Sequence, residues 1–264
     1  MTSAPVVHGL DSRGVATVTL NRPEVGNAYN GDMIQGLLAA IDDLTARAEL
    51  RALLLNGNGK HFQAGADLAW IRSVSAASAE ENERVSRATA EAIDRLNRLP
   101  VPTIALVQGG CFGGGTGMIA ACDIVIAADT AIFSIAEVRW GLTAAIIIPQ
   151  LSDAISVRQL RRYALTGERF GAAEALRIGL VHKLVPRPDL EAAGEAMIAN
   201  LIGNGPAALA ETKALALKSA WGGFGPETLE ALVLGHALKR RSAEASEGLA
   251  SFVEKRAARW AAPA

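Results

Sequence analysis

The 264-residue sequence predicts an α/β fold with a helical C-terminal region, and three observations carry that expectation. Short apolar runs alternate with helix-periodic segments over the first two thirds of the chain. Glycine clusters stand where strands give way to helices. Beyond Pro186 and Pro188 the periodicity is almost wholly helical.

The elements follow in order. Val15 to Leu20 reads as a strand, and Met33, Ile34, Leu37, Leu38, Ile41 and Leu44 then fall at helical spacing. Ala52 to Leu55 is a short apolar strand that ends in the turn signal Asn56-Gly57-Asn58-Gly59, and a loop with His61 to Leu68 follows. A polar helix from about Glu80 to Leu99 buries Val85, Ala88, Ala92, Ile93, Leu96 and Leu99, and Pro100 and Pro102 end it before strand Ile104 to Val107. Gly113 to Gly115 open a small-residue helix that ends near Cys122, and Ile124 to Ala127 and Ile132 to Ile135 read as strands. Helices are then expected over Arg158 to Leu165 and Ala172 to Ile178, a strand over Val181 to Val185, and helices over Leu190 to Ile202, Ala207 to Trp221 and, with breaks, Glu227 to Arg256. The boundary at the prolines divides the chain into residues 1–188 and 189–264. The latter is rich in Ala and Leu, with little polar punctuation, and is expected to bury a face against another subunit.

Composition narrows the function. A hydrophobic content of 50% permits an extensive core, and 26 basic against 27 acidic residues give no global pull toward nucleic acid or an anionic membrane, so the expected ligand is small. Cys111 and Cys122 lack the spacing of a metal site or a disulfide scaffold, which fits a reducing, cytoplasmic setting. The first residues carry neither a basic segment nor a long apolar run, and no stretch of about 18 apolar residues follows, so secretion and membrane spanning are not expected.

Two glycine-rich segments place backbone N–H groups where side chains would interfere: Ala64-Gly65-Ala66-Asp67-Leu68 and Gly113-Gly114-Gly115. The Gly114 amide stands at a helix N-terminus, among unpaired donors, and two donors from separate segments suit the negative oxygen of a thioester enolate. A lone glycine triplet serves equally well as a tight turn with close helix packing. Phosphate motifs fail on inspection. Gly57-Asn58-Gly59-Lys60-His61 lacks the first P-loop glycine and the hydroxyl residue after Lys60, and Gly113 to Met118 is out of register for a dinucleotide fingerprint.

Taken as an ordered set, the motifs resemble the crotonase (enoyl-CoA hydratase/isomerase) superfamily over nearly the whole chain. His61 to Leu68 resembles its first oxyanion segment, Val107 to Gly115 its second, and Phe133 to Leu142 the segment with its catalytic glutamate; Asn21-Arg22-Pro23, Asn27-Ala28 and Phe252 to Arg256 add matches at both ends. The resemblance implies a spiral of β-β-α turns with a C-terminal helical region that trimerises, commonly as a dimer of trimers. It implies an acyl-CoA thioester substrate, with coenzyme A as part of the substrate and no separate cofactor or metal. Ala66 and Gly114 then hold the thioester oxygen and Glu137 moves the proton. By the same resemblance the CoA moiety lies near Glu24, Val25, Gly26, Ala64, Gly65, Asp67 and Leu68, and near Phe252 and Lys255 of a neighbouring subunit, with Gly113, Gly117, Trp70 and Trp140 around the substrate. Glu24 stands where many members have Lys.

Gly117 is the larger departure. Two-glutamate hydratases carry a glutamate there as well as at the position of Glu137, and this chain has only the second. A narrower set of motifs, Gly59 to Trp70, Ala120 to Asp123 and Arg161 to Phe170, is similar to bacterial methylglutaconyl-CoA hydratases of leucine breakdown, several of which also lack the first glutamate. That likeness implies hydration of 3-methylglutaconyl-CoA to 3-hydroxy-3-methylglutaryl-CoA. Leu142 to Ile148, which is expected to line the acyl pocket, departs from the proline-containing stretch usual there. Double-bond isomerisation and general short-chain hydration stay open beside it, as does a catalytically silent scaffold that binds acyl-CoA or RNA. Six scattered lysines and a net charge of -1 argue against RNA. Asp67 reads as a helix cap or loop anchor rather than a base, Trp70 and Trp140 as pocket or core, Arg139 as a structural ion pair, and His61 and His182 as structural residues.

Overall fold

In the computed structural model, which describes residues 4–222 and 243–261, the apolar runs become strands buried on both faces, as a parallel sheet flanked by helices requires. In chain order the first elements are β1 (Val6–Leu10), β2 (Val15–Leu20), α1 (Gly31–Thr45), β3 (Ala52–Gly57), α2 (Leu68–Ser75), α3 (Ala79–Asn97), β4 (Thr103–Val107), β5 (Gly110–Phe112) and α4 (Gly114–Ala120). They continue as β6 (Ile124–Ala128), β7 (Ile132–Ser134), α5 (Ile148–Thr166), β8 (Phe170–Gly171), α6 (Ala172–Ile178), β9 (Lys183–Val185), α7 (Leu190–Ile202), α8 (Pro206–Gly222) and α9 (Ala243–Glu254).

The larger sheet has the order β1-β2-β3-β4-β6-β9, with β1 antiparallel to β2 and every other pair parallel. The smaller has the order β5-β7-β8. Their relation is a spiral. After β4 the chain turns at Gly109 into β5, and after β6 it turns into β7, so each long strand hands over to a short one before the next helix. The loop after β3 does the same with a single residue, Gln63, which bridges to Cys111 of β5. The repeated β-β-α unit is therefore a property of backbone pairing rather than of recurring residues.

Helix α1 shows how the sequence sets the packing. Asn30 caps it by accepting the Met33 N–H at 3.0 Å, and all six residues read as its apolar stripe are buried. On one side of the large sheet α1, α3, α4 and α5 cover a continuous core that includes Leu53, Leu55, Phe62, Leu96 and Val107. On the other side Leu190, Ala193 and Ile198 of α7 pack on Val15, Ile104, Leu106 and Ile126. The helix that follows Pro188 thus closes the outer face of the sheet.

Several elements differ from the sequence reading, among them helix α2 and strand β8, which have no counterpart in it. Strand β1 was not anticipated; Val6 is its one buried residue, so the apolar signal is thin. Strand β5 is three residues long and begins at a glycine. Helix α5 starts ten residues before the expected Arg158, and Ser156 interrupts it with φ +62°. Of the helix expected over Glu227 to Arg256, residues 227–242 lie outside the described residues. Among the described residues no helix is long and apolar enough to cross a membrane.

Candidate active site

The first oxyanion segment is held by a buried amide. Asn27 adopts φ +58°, its Nδ2 donates to the carbonyls of Asn58 and His61 at 2.9 Å each, and its Oδ1 accepts the Arg22 N–H at 2.8 Å. Arg22 then donates to the Ala28 carbonyl at 2.6 Å and to Asp67 at 3.1 Å. Tyr29 completes the frame: its N–H donates to the Gly65 carbonyl at 2.8 Å, and its own carbonyl accepts the Asp67 N–H at 2.9 Å. In extended backbone, successive N–H groups point to opposite sides. The Asp67 N–H is spent on Tyr29, so that of Ala66 turns the other way, and it has no acceptor among the described residues.

The second segment begins at Gly113, whose φ of +50° and ψ of −122° suit glycine alone. The Gly113 N–H donates to the Ser134 carbonyl at 2.8 Å, and its carbonyl accepts the Thr116 N–H and Oγ1 at 2.8 and 2.7 Å. Gly114 is the first residue of α4, and its N–H has no acceptor among the described residues either. Both free donors border one cavity of about 570 Å³.

Glu137 enters that cavity from a 3₁₀ turn, Glu137–Trp140, that follows β7. Its Oε1 packs so close to Gly113 that a Cβ there would stand 3.0 Å away. Its Oε2 is buried and has no hydrogen-bond partner among the described residues. Burial pushes the carboxyl above the ordinary glutamate range, and the residue's own backbone N–H opposes that only in part. A desolvated carboxyl thus shares the cavity with two backbone N–H groups that have no acceptor among the described residues.

Gly117 lies behind the cavity wall. A Cβ on it would stand 2.0 Å from Cγ2 of Ile147, so Ile147 fills the space a side chain at 117 would need. Of the other candidates, Ala64, Gly65, Leu68, Trp70, Gly113 and Trp140 line the cavity. Asp67 caps α2, its Oδ1 accepting the N–H groups of Ala69 and Trp70 at 3.1 and 3.3 Å. Glu24, Val25 and Gly26 form a turn outside the cavity lining, tied to it where the Gly26 carbonyl accepts the Ala64 N–H at 2.9 Å. Lys255 is exposed at the end of α9, and the side chain of Phe252 lies outside the described residues.

The remaining polar candidates support backbone. Arg139 donates to the Gly167 carbonyl at 3.0 Å. His61 Nδ1 accepts the Gly110 N–H at 2.8 Å, and His182 Nδ1 accepts that of Val125 at 3.0 Å, so each ring keeps its proton on Nε2. Cys111 and Cys122 are free and buried, and burial raises both thiols, that of Cys122 to about 12. Ile147 falls within the Leu142 to Ile148 stretch expected to line the acyl pocket, and it does border the cavity, whereas Tyr29 went unread; its signal is an aromatic residue with a polar tip directly after Asn27-Ala28.

Residues 11–263 match the family profile described as enoyl-CoA hydratase/isomerase. The chain belongs to this family. A crystal structure of an enoyl-CoA hydratase from Shewanella pealeana is 37% identical and covers 97% of this chain and 96% of its own, with a TM-score of 0.92. That agreement identifies the fold of the described residues as the crotonase fold. A hydroxycinnamoyl-CoA hydratase-lyase from Pseudomonas fluorescens is 34% identical over 76% of this chain and 74% of its own. A mitochondrial Delta(3,5)-Delta(2,4)-dienoyl-CoA isomerase from Dictyostelium discoideum is 30% identical over 93% of this chain and 87% of its own. Within the enoyl-CoA hydratase/isomerase family, then, relatives of similar distance bear the names of different reactions. The choice among them turns on the side chains around the donors.

Proposed function

We propose that this chain adds water across the α,β double bond of an enoyl-CoA thioester. The observation that carries the reading is Glu137, desolvated and with an unpartnered oxygen, in the same cavity as the free N–H groups of Ala66 and Gly114. The two donors hold the thioester oxygen as it gains negative charge. Glu137 takes a proton from water as the water oxygen bonds to C3, the π electrons move toward C2 and the thioester, and the same proton returns to C2. The carboxylate ends as it began, and the addition is syn.

The acyl group is the finer part of the reading. The narrower motif likeness supports 3-methylglutaconyl-CoA, and Ser75, Asn82, Ser86 and Thr89 of α2 and α3 offer neutral polar atoms along the cavity for its distal carboxyl. A second reading draws on the absence of lysine and arginine from the residues that line the cavity, which favours an uncharged acyl chain against Met33, Ile34, Leu37 and Ile71. The test is loss of enone absorbance on a panel of thioesters, with 3-methylglutaconyl-CoA beside crotonyl-CoA and longer chains. Preferred turnover of 3-methylglutaconyl-CoA is the expected result. Turnover of the uncharged thioesters alone overturns that acyl group, and a shifted double bond without hydration on any thioester replaces hydration with isomerisation.

A further inference from the structure

We propose that Tyr29 is a catalytic residue of the hydration, its phenol oxygen accepting the second hydrogen of the attacking water so that Glu137 takes the first. The proposal rests on the hydration reading above. Addition at C3 needs a water whose lone pair is aimed, and a single carboxylate fixes only one of its hydrogens. Ile147 closes the space beside Gly117, so the second contact has to come from elsewhere on the cavity wall.

Tyr29 is where such a contact is needed. A Cβ on Gly114 would stand 2.7 Å from its Cε1, just as a Cβ on Gly113 would stand 3.0 Å from Oε1 of Glu137. The phenol ring and the carboxylate therefore flank a single peptide unit, the one whose N–H is the second oxyanion donor. The ring is braced edge-on against Trp70, with centroids 5.7 Å apart and planes at 69°. Its backbone is the clamp on Gly65 and Asp67 that aims the Ala66 N–H. One residue thus connects both donors and the base.

Tyr29 lines the cavity, and its hydroxyl makes no hydrogen bond among the described residues. Burial, reinforced by the charge of Glu137, pushes its pKa up to about 12. It stays a neutral phenol at working pH, keeping its own proton and offering lone pairs to accept from water. The other polar side chains on the wall are placed differently. Ser75, Asn82, Ser86 and Thr89 come from α2 and α3, Thr143 from the loop after the Glu137–Trp140 turn, and the amide of Gln63 packs against Gly115, one residue further into α4.

The test is Tyr29→Phe, which keeps the ring and removes the oxygen. Hydration is measured beside exchange of the α-proton of butyryl-CoA in deuterium oxide, which needs the oxyanion donors and Glu137 but no water at C3. The expected result is a fall in kcat of roughly 10- to 100-fold, with KM, α-proton exchange and the acid limb of the pH profile unchanged. Wild-type hydration by the variant overturns the role of Tyr29 and leaves the hydration reading standing. Equal loss of exchange and hydration also overturns it, since the hydroxyl would then support the donors and Glu137 rather than the attacking water. A wild-type enzyme that exchanges the α-proton yet hydrates no thioester removes the hydration reading and the water contact together.

Discussion

Two kinds of part meet at the cavity: the N–H groups of Ala66 and Gly114, aimed by the hydrogen bonds of their sequence neighbours, and the side chains of Glu137, Tyr29 and Ile147, which distant segments of the chain bring to its wall. The first half is made of backbone and is sensitive to any added Cβ. The second is made of side chains and is sensitive to their chemistry. This difference explains how relatives named for hydration and for isomerisation share a fold. On the proposed reading, thioester binding rests on short-range backbone geometry, while the reaction rests on side chains that substitution can change one at a time.

The largest effect should come from the side-chain half. Glu137→Gln is expected to lower kcat by about 10³-fold while acyl-CoA affinity, measured by calorimetry, changes little. The same substitution should raise the thermal midpoint. A carboxyl whose folded pKa is raised binds its proton more tightly in the native state, so its ionisation costs stability once pH exceeds that raised value, and the cost vanishes below the ordinary glutamate range. A midpoint that falls in the variant at pH 7 would contradict the desolvated carboxylate.

The backbone half is broken by Gly114→Ala. Its methyl would press on the Tyr29 ring at 2.7 Å and displace the peptide that carries the donor. Loss of about 10²-fold in kcat is expected, with the far-ultraviolet spectrum unchanged. If the alanine variant keeps full activity, the Gly114 N–H is not an oxyanion donor.

These two halves were not equally legible in the sequence. Gly65 and Gly113, with φ of +90° and +50°, are written into short motifs because a positive φ is a local demand on one residue. Glu137 was readable from its motif. Tyr29 and the contact of Ile147 with Gly117 were not, because the packing of Tyr29 on Gly114 and of Ile147 on Gly117 joins residues far apart in the chain, and no local pattern encodes it. The long elements, such as α1, α3 and α7, were read close to their bounds because burial imposes period on them. Strand β5 follows from its pairing with β7, a segment distant enough that no local pattern encodes it.

A third experiment probes pH. The raised Glu137 carboxyl must be ionised to accept a proton from water. The kcat/KM profile should therefore lose activity on its acid side at a pH above the ordinary glutamate value. Tyr29 adds no limb, since its pKa of about 12 lies beyond the working range. An acid limb at or below the ordinary value would mean that Glu137 is solvated when substrate arrives.

Smaller again is the effect of the missing side chain at 117. Gly117→Ala would force its methyl into Ile147 at 2.0 Å from Cγ2, an overpacking that costs about 1–3 kcal/mol. Adding Ile147→Ala should return part of the lost thermal stability. The double-mutant cycle then reads the coupling directly. Additive losses would show that the two residues do not share one space.

The smallest effect tests the seam between the halves, at Asp67. Burial opposes ionisation of this carboxyl, but Arg22 and the N–H groups of Trp70 and Ala69 outweigh it and hold its pKa below the usual value. A depressed folded pKa gives stability that is present above the unfolded value, near 3.8, and is lost as pH falls through the folded one. Asp67→Ala removes both the cap of α2 and the ion pair and should cost about 1 kcal/mol. Asp67→Asn keeps a capping oxygen and loses only the charge opposite Arg22, so it should cost less. If alignment of the Ala66 N–H depends on the cap, kcat falls a few-fold in the alanine variant and recovers in the asparagine one. If it depends on the ion pair, both variants fall alike, and the first donor is held by Arg22 rather than by the helix that follows it.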